Sequence, residues 1–293
     1  MHERAATRVM MMRRDGPVSV PLQASPAAVD PHRRVHASRA ACRDRGSMVA
    51  GMKVLPPRSD EPWVATATWR PWEALVVFLT GYAAGALARA EVSGLDASAA
   101  AREAGPAIVE SLWTIALVAW LGVRHPLWRD AVGRPERAWH EVHEGAVFGF
   151  ILYGVVALGV AWPLGKLLTF VAKEDVQAPR QPLFDRSAGS IAVGVVFALA
   201  VAPIAEELFF RGILFRAIRD RHGFGLGAAG STAAFALVHY APQGGLDNLV
   251  VVAATAGMGA GLALLYERRR NLLAPLAAHV AFNLLGLVVL FRS

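Results

Sequence analysis

Cysteine is almost absent. A single one, Cys42, stands in a chain of 293 residues. That excludes a disulfide framework, a cysteine-rich metal site and a cysteine nucleophile in the apolar part of the chain. No G-x-S-x-G turn is present, so the serine-hydrolase elbow is excluded as well. The H-E-x-x-H spacing that puts two imidazoles one helical turn apart is also missing. Its nearest approach, WHEVHEG at 139–145, is H-E-x-H and reads as a solvated face next to an apolar segment. GFGLG at 223–227 has no strand before it, which argues for a turn over a phosphate cradle. No apolar run follows the early arginines, so no secretory signal is expected.

Charge is scarce over long stretches. Hydrophobic residues make up 55% of the chain, and they come in blocks of roughly 16–28 residues, the length that crosses a ~30 Å hydrocarbon core. The blocks are 73–90, 106–123, 145–172, 188–218, 226–241, 247–266 and 272–291. They predict an all-α, polytopic membrane helix bundle with about seven to eight transmembrane helices. Pro203 lies inside the long fourth block, where it removes a backbone donor and should kink the helix. Gly81 and Gly85, like Gly257 and Gly261, form small-xxx-small patterns suited to close helix contact within the bundle. No internal repeat is visible.

The net charge of +7 is concentrated at one end. Residues 1–70 hold 12 Lys and Arg against 6 Asp and Glu. This basic tail lacks apolar periodicity and is expected to be disordered, with Met48 or Met52 as the natural start. Residues 71–180 read as N-terminal transmembrane helices and residues 181–293 as a second helix bundle that carries the chemistry. No folded basic face exists to bind nucleic acid; an anionic lipid surface is the expected neighbour of the tail. Arginines cluster in the loops 124–144, 219–225 and 267–271, which predicts an integral membrane protein with its N-terminus inside. A prokaryotic inner membrane is the expected location.

Against this background a few polar residues stand out, because ionisable groups at membrane depth cost several kcal/mol unless paired or hydrated. They are Glu206, Glu207, Arg211, His239, His279 and Asn283. Glu207 and Arg211 are spaced i, i+4 with the acid first, the favourable order for an intrahelical ion pair. Glu206 points about 100° away and is left over. An unpaired carboxylate in an apolar setting suits a general base. His239 follows Phe235 by four residues, and His279 precedes Asn283 by four.

One carboxylate, two imidazoles and an amide allow two devices. Glu206 with His239 can hold and deprotonate a water while His279 and Asn283 donate to an oxyanion. Alternatively Glu206, His239 and His279 can hold a divalent metal such as zinc, with one position open to water. Ser231 reads as a hydrogen-bonding residue of the bundle, Glu110 as a lone carboxylate that is snorkelling or packed, and His222 as a loop histidine.

The set EELFFR, FALVH and HVAFN resembles the signature E-E-x-x-x-R, F-x-x-x-H, H-x-x-x-N of the CAAX prenyl endopeptidase and bacteriocin-processing (CPBP, Abi) family of intramembrane proteases. The resemblance covers about residues 185–291. It implies peptide-bond hydrolysis inside the membrane, near the C-terminus of a lipidated or membrane-anchored protein substrate. In it Glu206 activates water, His239 is its partner, His279 and Asn283 stabilise the transition state, and Glu207, Arg211 and Phe235 support them. The family has been described both as metal-dependent and as glutamate-dependent. Two other classes of function remain open on the sequence: a non-catalytic scaffold or bacteriocin-immunity protein, and a proton-linked transporter, which the lack of inverted repeats argues against.

Overall fold

In the computed structural model, residues 67–93, 99–125, 131–133, 135, 137–176, 188–240 and 244–292 are described. They belong to one compact unit, residues 53–293. The predicted tail up to residue 66, with Cys42, Met48 and Met52, lies outside the described residues. Its last four residues, 67–70, are not a free tail. Trp69 is fully buried and donates from Nε1 to the Ile213 carbonyl at 3.0 Å. The Ala67 amide donates to Asp220 at 2.8 Å. The buried indole of Trp69 thus ties the chain to the bundle just before the first span begins.

The described residues contain helices and no strand. Helix α1 is Pro71–Ser93, α2 is Ala99–Arg124, and α3 runs unbroken over Ala138–Ala172. Helix α4 covers residues 188–222 and α5 covers 224–237, separated only by Gly223. Helix α6 is Asp247–Arg269 and α7 is Leu273–Arg292. Six of the helices are long and apolar enough to cross a membrane when α4 and α5 are counted as one. Gly223, at φ 83° and ψ 171°, breaks that one in two; only glycine adopts this backbone without strain. Helix α5 then rises only about 21 Å at 1.5 Å per residue, less than the ~30 Å core. It ends at Leu237, four residues short of the predicted end at 241. Large apolar side chains such as Leu87, Leu158, Phe170 and Val196 point outward, as they would into acyl chains.

Two prolines shape the long helices in the same way. Pro163 in α3 and Pro203 in α4 each follow a five-residue stretch of wide π-turns, Ala157–Ala161 and Phe197–Val201. A proline ring presses on the carbonyl four residues back and offers no N–H, so the turn widens instead of closing. The expected kink at Pro203 takes this form. In i→i+5 register the carbonyl of Ala198 would be bonded by residue 203, which has no N–H to give. A second wide stretch in α4, Glu207–Phe215, carries Glu207 and Arg211.

Glycines set the closest approaches. Gly145 and Gly149 on α3 lie directly against the backbone of Ala274 and Ala278 on α7; a Cβ at either would overlap it. Gly81 and Gly85 on α1 face Thr114, Glu110 and Pro106 of α2, and Gly257 and Gly261 on α6 face Val156 and Leu152 of α3. Both predicted glycine patterns pack inside the chain. Between the helices lies a core of Phe209, Phe210, Ile213, Phe235, Met258 and Leu262.

At the arginine-rich end, polar contacts tie the helices together. Arg216 bonds Asp220 within α4, and Arg219 reaches Glu267 on α6 at 2.5 Å. Arg269 grips Glu141 at 2.7 Å and also Glu144. WHEVHEG thus forms the first turns of α3 and serves as the acidic partner of α6.

Candidate active site

Glu206 and Glu207 are neighbours with opposite surroundings. The side chain of Glu207 is 2% exposed and that of Glu206 is 24% exposed. Rotation by roughly 100° per residue puts one into the protein and the other toward a cavity.

Glu207 Oε1 accepts from Arg211 Nη1 at 2.8 Å, the predicted intrahelical pair. The i, i+4 spacing keeps the two side chains on one face of α4. Arg211 is fully buried. Its other arm, Nη2, donates to the Gly259 carbonyl on α6 at 3.2 Å, and its guanidinium lies 4.7 Å over the Phe235 ring. Phe235 also meets the rings of His239 at 4.8 Å and His279 at 6.0 Å. It is the apolar post around which the charged groups stand, and its ring face offers Arg211 a cation–π contact.

The same Glu207 oxygen holds His279. Nδ1 of His279 lies 2.8 Å from Glu207 Oε1. A carboxylate paired with arginine can only accept, so this Nδ1 carries a proton. The other nitrogen, Nε2, then faces Glu206 Oε2 at 3.5 Å. The sequence reading gave Glu207 one partner, Arg211, and left His279 unheld. The carboxylate instead bridges α4 and α7, fixing the ring and the tautomer of His279 in the manner of a carboxylate behind a functional imidazole. No local spacing betrays a contact between residues 72 positions apart.

His239 is also placed by a bond to Nδ1. It lies in the turn beyond α5, not on the helix, and its Nδ1 is 2.7 Å from the Phe235 carbonyl. A carbonyl accepts, so here too Nδ1 holds the proton and Nε2 is left for the cavity. Asn283 donates from Nδ2 to the Ala198 carbonyl at 2.9 Å. This is the carbonyl that Pro203 leaves without its π-register donor. Proline thereby creates the acceptor that orients the carboxamide, and Asn283 keeps its second N–H and its oxygen for other partners. Ser231 donates to Phe210 at 2.8 Å, as expected of a bundle residue.

Glu206, His239, His279 and Asn283 all line one cavity of about 730 Å³. Its walls are largely apolar, with Phe209, Phe210, Phe235 and Phe282 among them. Helices α1 and α2, outside the motif region, close it with Phe78, Glu110, Ser111 and Thr114. The volume suits an extended peptide segment or a drug-sized ligand. Of the two readings of Glu110, snorkelling or packed, the structure favours the second, with the carboxylate also lining the cavity. The rule that intramembrane carboxylates are functional by default would have flagged it.

As for a metal, the free Nε2 atoms of both histidines and the Glu206 carboxylate are zinc-type donors. Among the described residues, however, no three His, Cys, Asp or Glu are gathered closely enough to hold an ion. The donors fit in kind and not in spacing.

Residues 188–285 match the family model of the Rce1-like type II CAAX prenyl endopeptidases. Among curated proteins, YdiL of Bacillus subtilis (strain 168), provisionally named a membrane peptidase, is 32% identical over 89 residues. That match covers 30% of this chain and 34% of YdiL, so the likeness spans about a third of each. No solved structure matches. The chain is an integral membrane protein, and the glutamate pair, the two imidazoles and the carboxamide all fall within the stretch that is similar to the Rce1-like type II CAAX prenyl endopeptidases.

Proposed function

We propose that the protein is an intramembrane endopeptidase that hydrolyses a peptide bond near the C-terminus of a membrane-associated protein, in CAAX-type or C-terminal sorting-signal processing. The observation that carries this reading is the facing pair Glu206 Oε2 and His279 Nε2, 3.5 Å apart at the edge of a cavity within the apolar helices. Glu206 is the water activator. A water between it and His239 gives a proton to the Glu206 carboxylate as its oxygen bonds the scissile carbonyl carbon. His279 enters the reaction as an imidazolium, its second proton taken from solvent and held on Nε2 throughout with Glu207 as counter-charge, and the oxyanion so formed takes hydrogen bonds from that Nε2–H and from the second N–H of Asn283. The C–N bond then breaks, and Glu206 returns its proton to the leaving nitrogen. Glu207, Arg211 and Phe235 act behind this set: they keep the His279 ring aimed at the cavity.

Glu206→Gln keeps the shape of the side chain and removes the base. Comparative proteomics of a strain carrying it should reveal membrane proteins that gain mass at one terminus. A proteome identical to wild type would overturn the protease reading in favour of a non-catalytic scaffold. Restored processing by the purified wild-type protein in lipid bilayers, and none by the variant, would make the assignment direct.

A further inference from the structure

The cavity contains a carboxylate that the hydrolytic steps do not use. Glu110 stands on α2, outside the family-matched residues, and lines the same cavity as Glu206. It is half-buried, next to Ser111 and Thr114, which also face inward. Gly85 on α1 makes room for it: a Cβ there would come within 3.0 Å of the Glu110 side chain. Among the described residues no hydrogen bond engages its carboxyl. The charges that act on it are Arg89, which is exposed and does not line the cavity, and Glu206.

The charge of the whole lining follows. Among the described residues its titratable groups are Glu110, Glu206, His239, His279 and Tyr153, with no lysine or arginine. Arg211, the cation closest to the motif residues, is spent on Glu207 behind the cavity wall. A space of this kind, walled by low-dielectric aromatic rings, focuses the field of its carboxylates. It draws in a cation and repels an anion.

We infer that Glu110 is a specificity-determining residue that pairs with a basic side chain of the substrate, a lysine or arginine a few residues from the scissile bond. This rests on the protease reading and selects within it. Glu206 is committed to the water, so the surplus negative charge of the cavity is that of Glu110. Ser111 and Thr114 add hydroxyls that hydrogen-bond the same ammonium or guanidinium group. A bond flanked by aspartate or glutamate is disfavoured for the same reason.

The test uses the full chain in lipid nanodiscs and a synthetic peptide pool of defined composition, with cleavage sites read by mass spectrometry. For the wild type, lysine and arginine within four residues of the cut should exceed aspartate and glutamate by about tenfold. Glu110→Gln should bring that ratio below about threefold, through KM for basic peptides and not through kcat; Glu110→Asp should restore most of it. Ser111→Lys, which places a cation in the same wall, should turn the preference toward acidic peptides. An unaltered ratio in Glu110→Gln, or a wild type indifferent to charge, overturns the inference. If the wild type cuts nothing, the protease reading fails by itself. Photo-crosslinking of lysine- and aspartate-containing peptides then still decides the role of Glu110: equal labelling of wild type and Glu110→Gln refutes it, and a loss of lysine-peptide labelling upholds it.

Discussion

Glutamine at position 207 and glutamine at position 206 should produce two opposite phenotypes. In Glu207→Gln the amide oxygen can still accept from Arg211 and His279, so the contacts survive and the charge does not. Arg211 is 0% exposed and, among the described residues, has no other carboxylate bonded to it. Removing one partner of a buried pair leaves an uncompensated charge, which costs about 3–5 kcal/mol. For a domain of this size the loss lowers the melting temperature by roughly 6–20 °C, at about 2–4 °C per kcal/mol. Glu206 is partly exposed to the cavity and holds no buried cation in a salt bridge, so Glu206→Gln should change stability by less than ~1 kcal/mol. Its hydrolysis should nonetheless fall to background. The measurement is tryptophan fluorescence during a thermal scan in one detergent, alongside peptide cleavage in bilayers. Adding Arg211→Met to Glu207→Gln removes the stranded charge and should recover most of the lost stability. If Glu207→Gln melts with the wild type, or Glu206→Gln falls as far as Glu207→Gln, the division between a holding and a reacting glutamate is wrong.

Gly149→Leu should push α7 off α3, because its side chain would occupy the place of the Ala278 backbone. We expect a loss of about 1–3 kcal/mol from overpacking, and a cleavage defect through displacement of the adjacent His279. Pro203→Ala supplies the missing N–H to the Ala198 carbonyl in competition with Asn283. Turnover should drop several-fold while the melting temperature holds or rises; a fully active variant would refute the role given to that carbonyl. Gly223→Ala meets no neighbouring atom, so any destabilisation is that of the backbone alone, of order 1–3 kcal/mol by thermal unfolding.

Length and apolarity placed the spans, because a lipid interior requires each crossing segment to satisfy its own backbone and present apolar side chains to it. The i, i+4 spacing of Glu207 and Arg211 foretold their pair, since both partners lie on one helix. The motif residues were legible for the same reason: ionisable groups are conspicuous in apolar helices. Which groups face each other was not legible. The contact of His279 with Glu207, the carbonyl that Pro203 frees for Asn283, and the closure of the cavity by Glu110 each join residues far apart in the chain. A linear pattern records the period of one helix. How helices turn toward one another is decided by where glycines let them touch, and only the folded bundle carries that information.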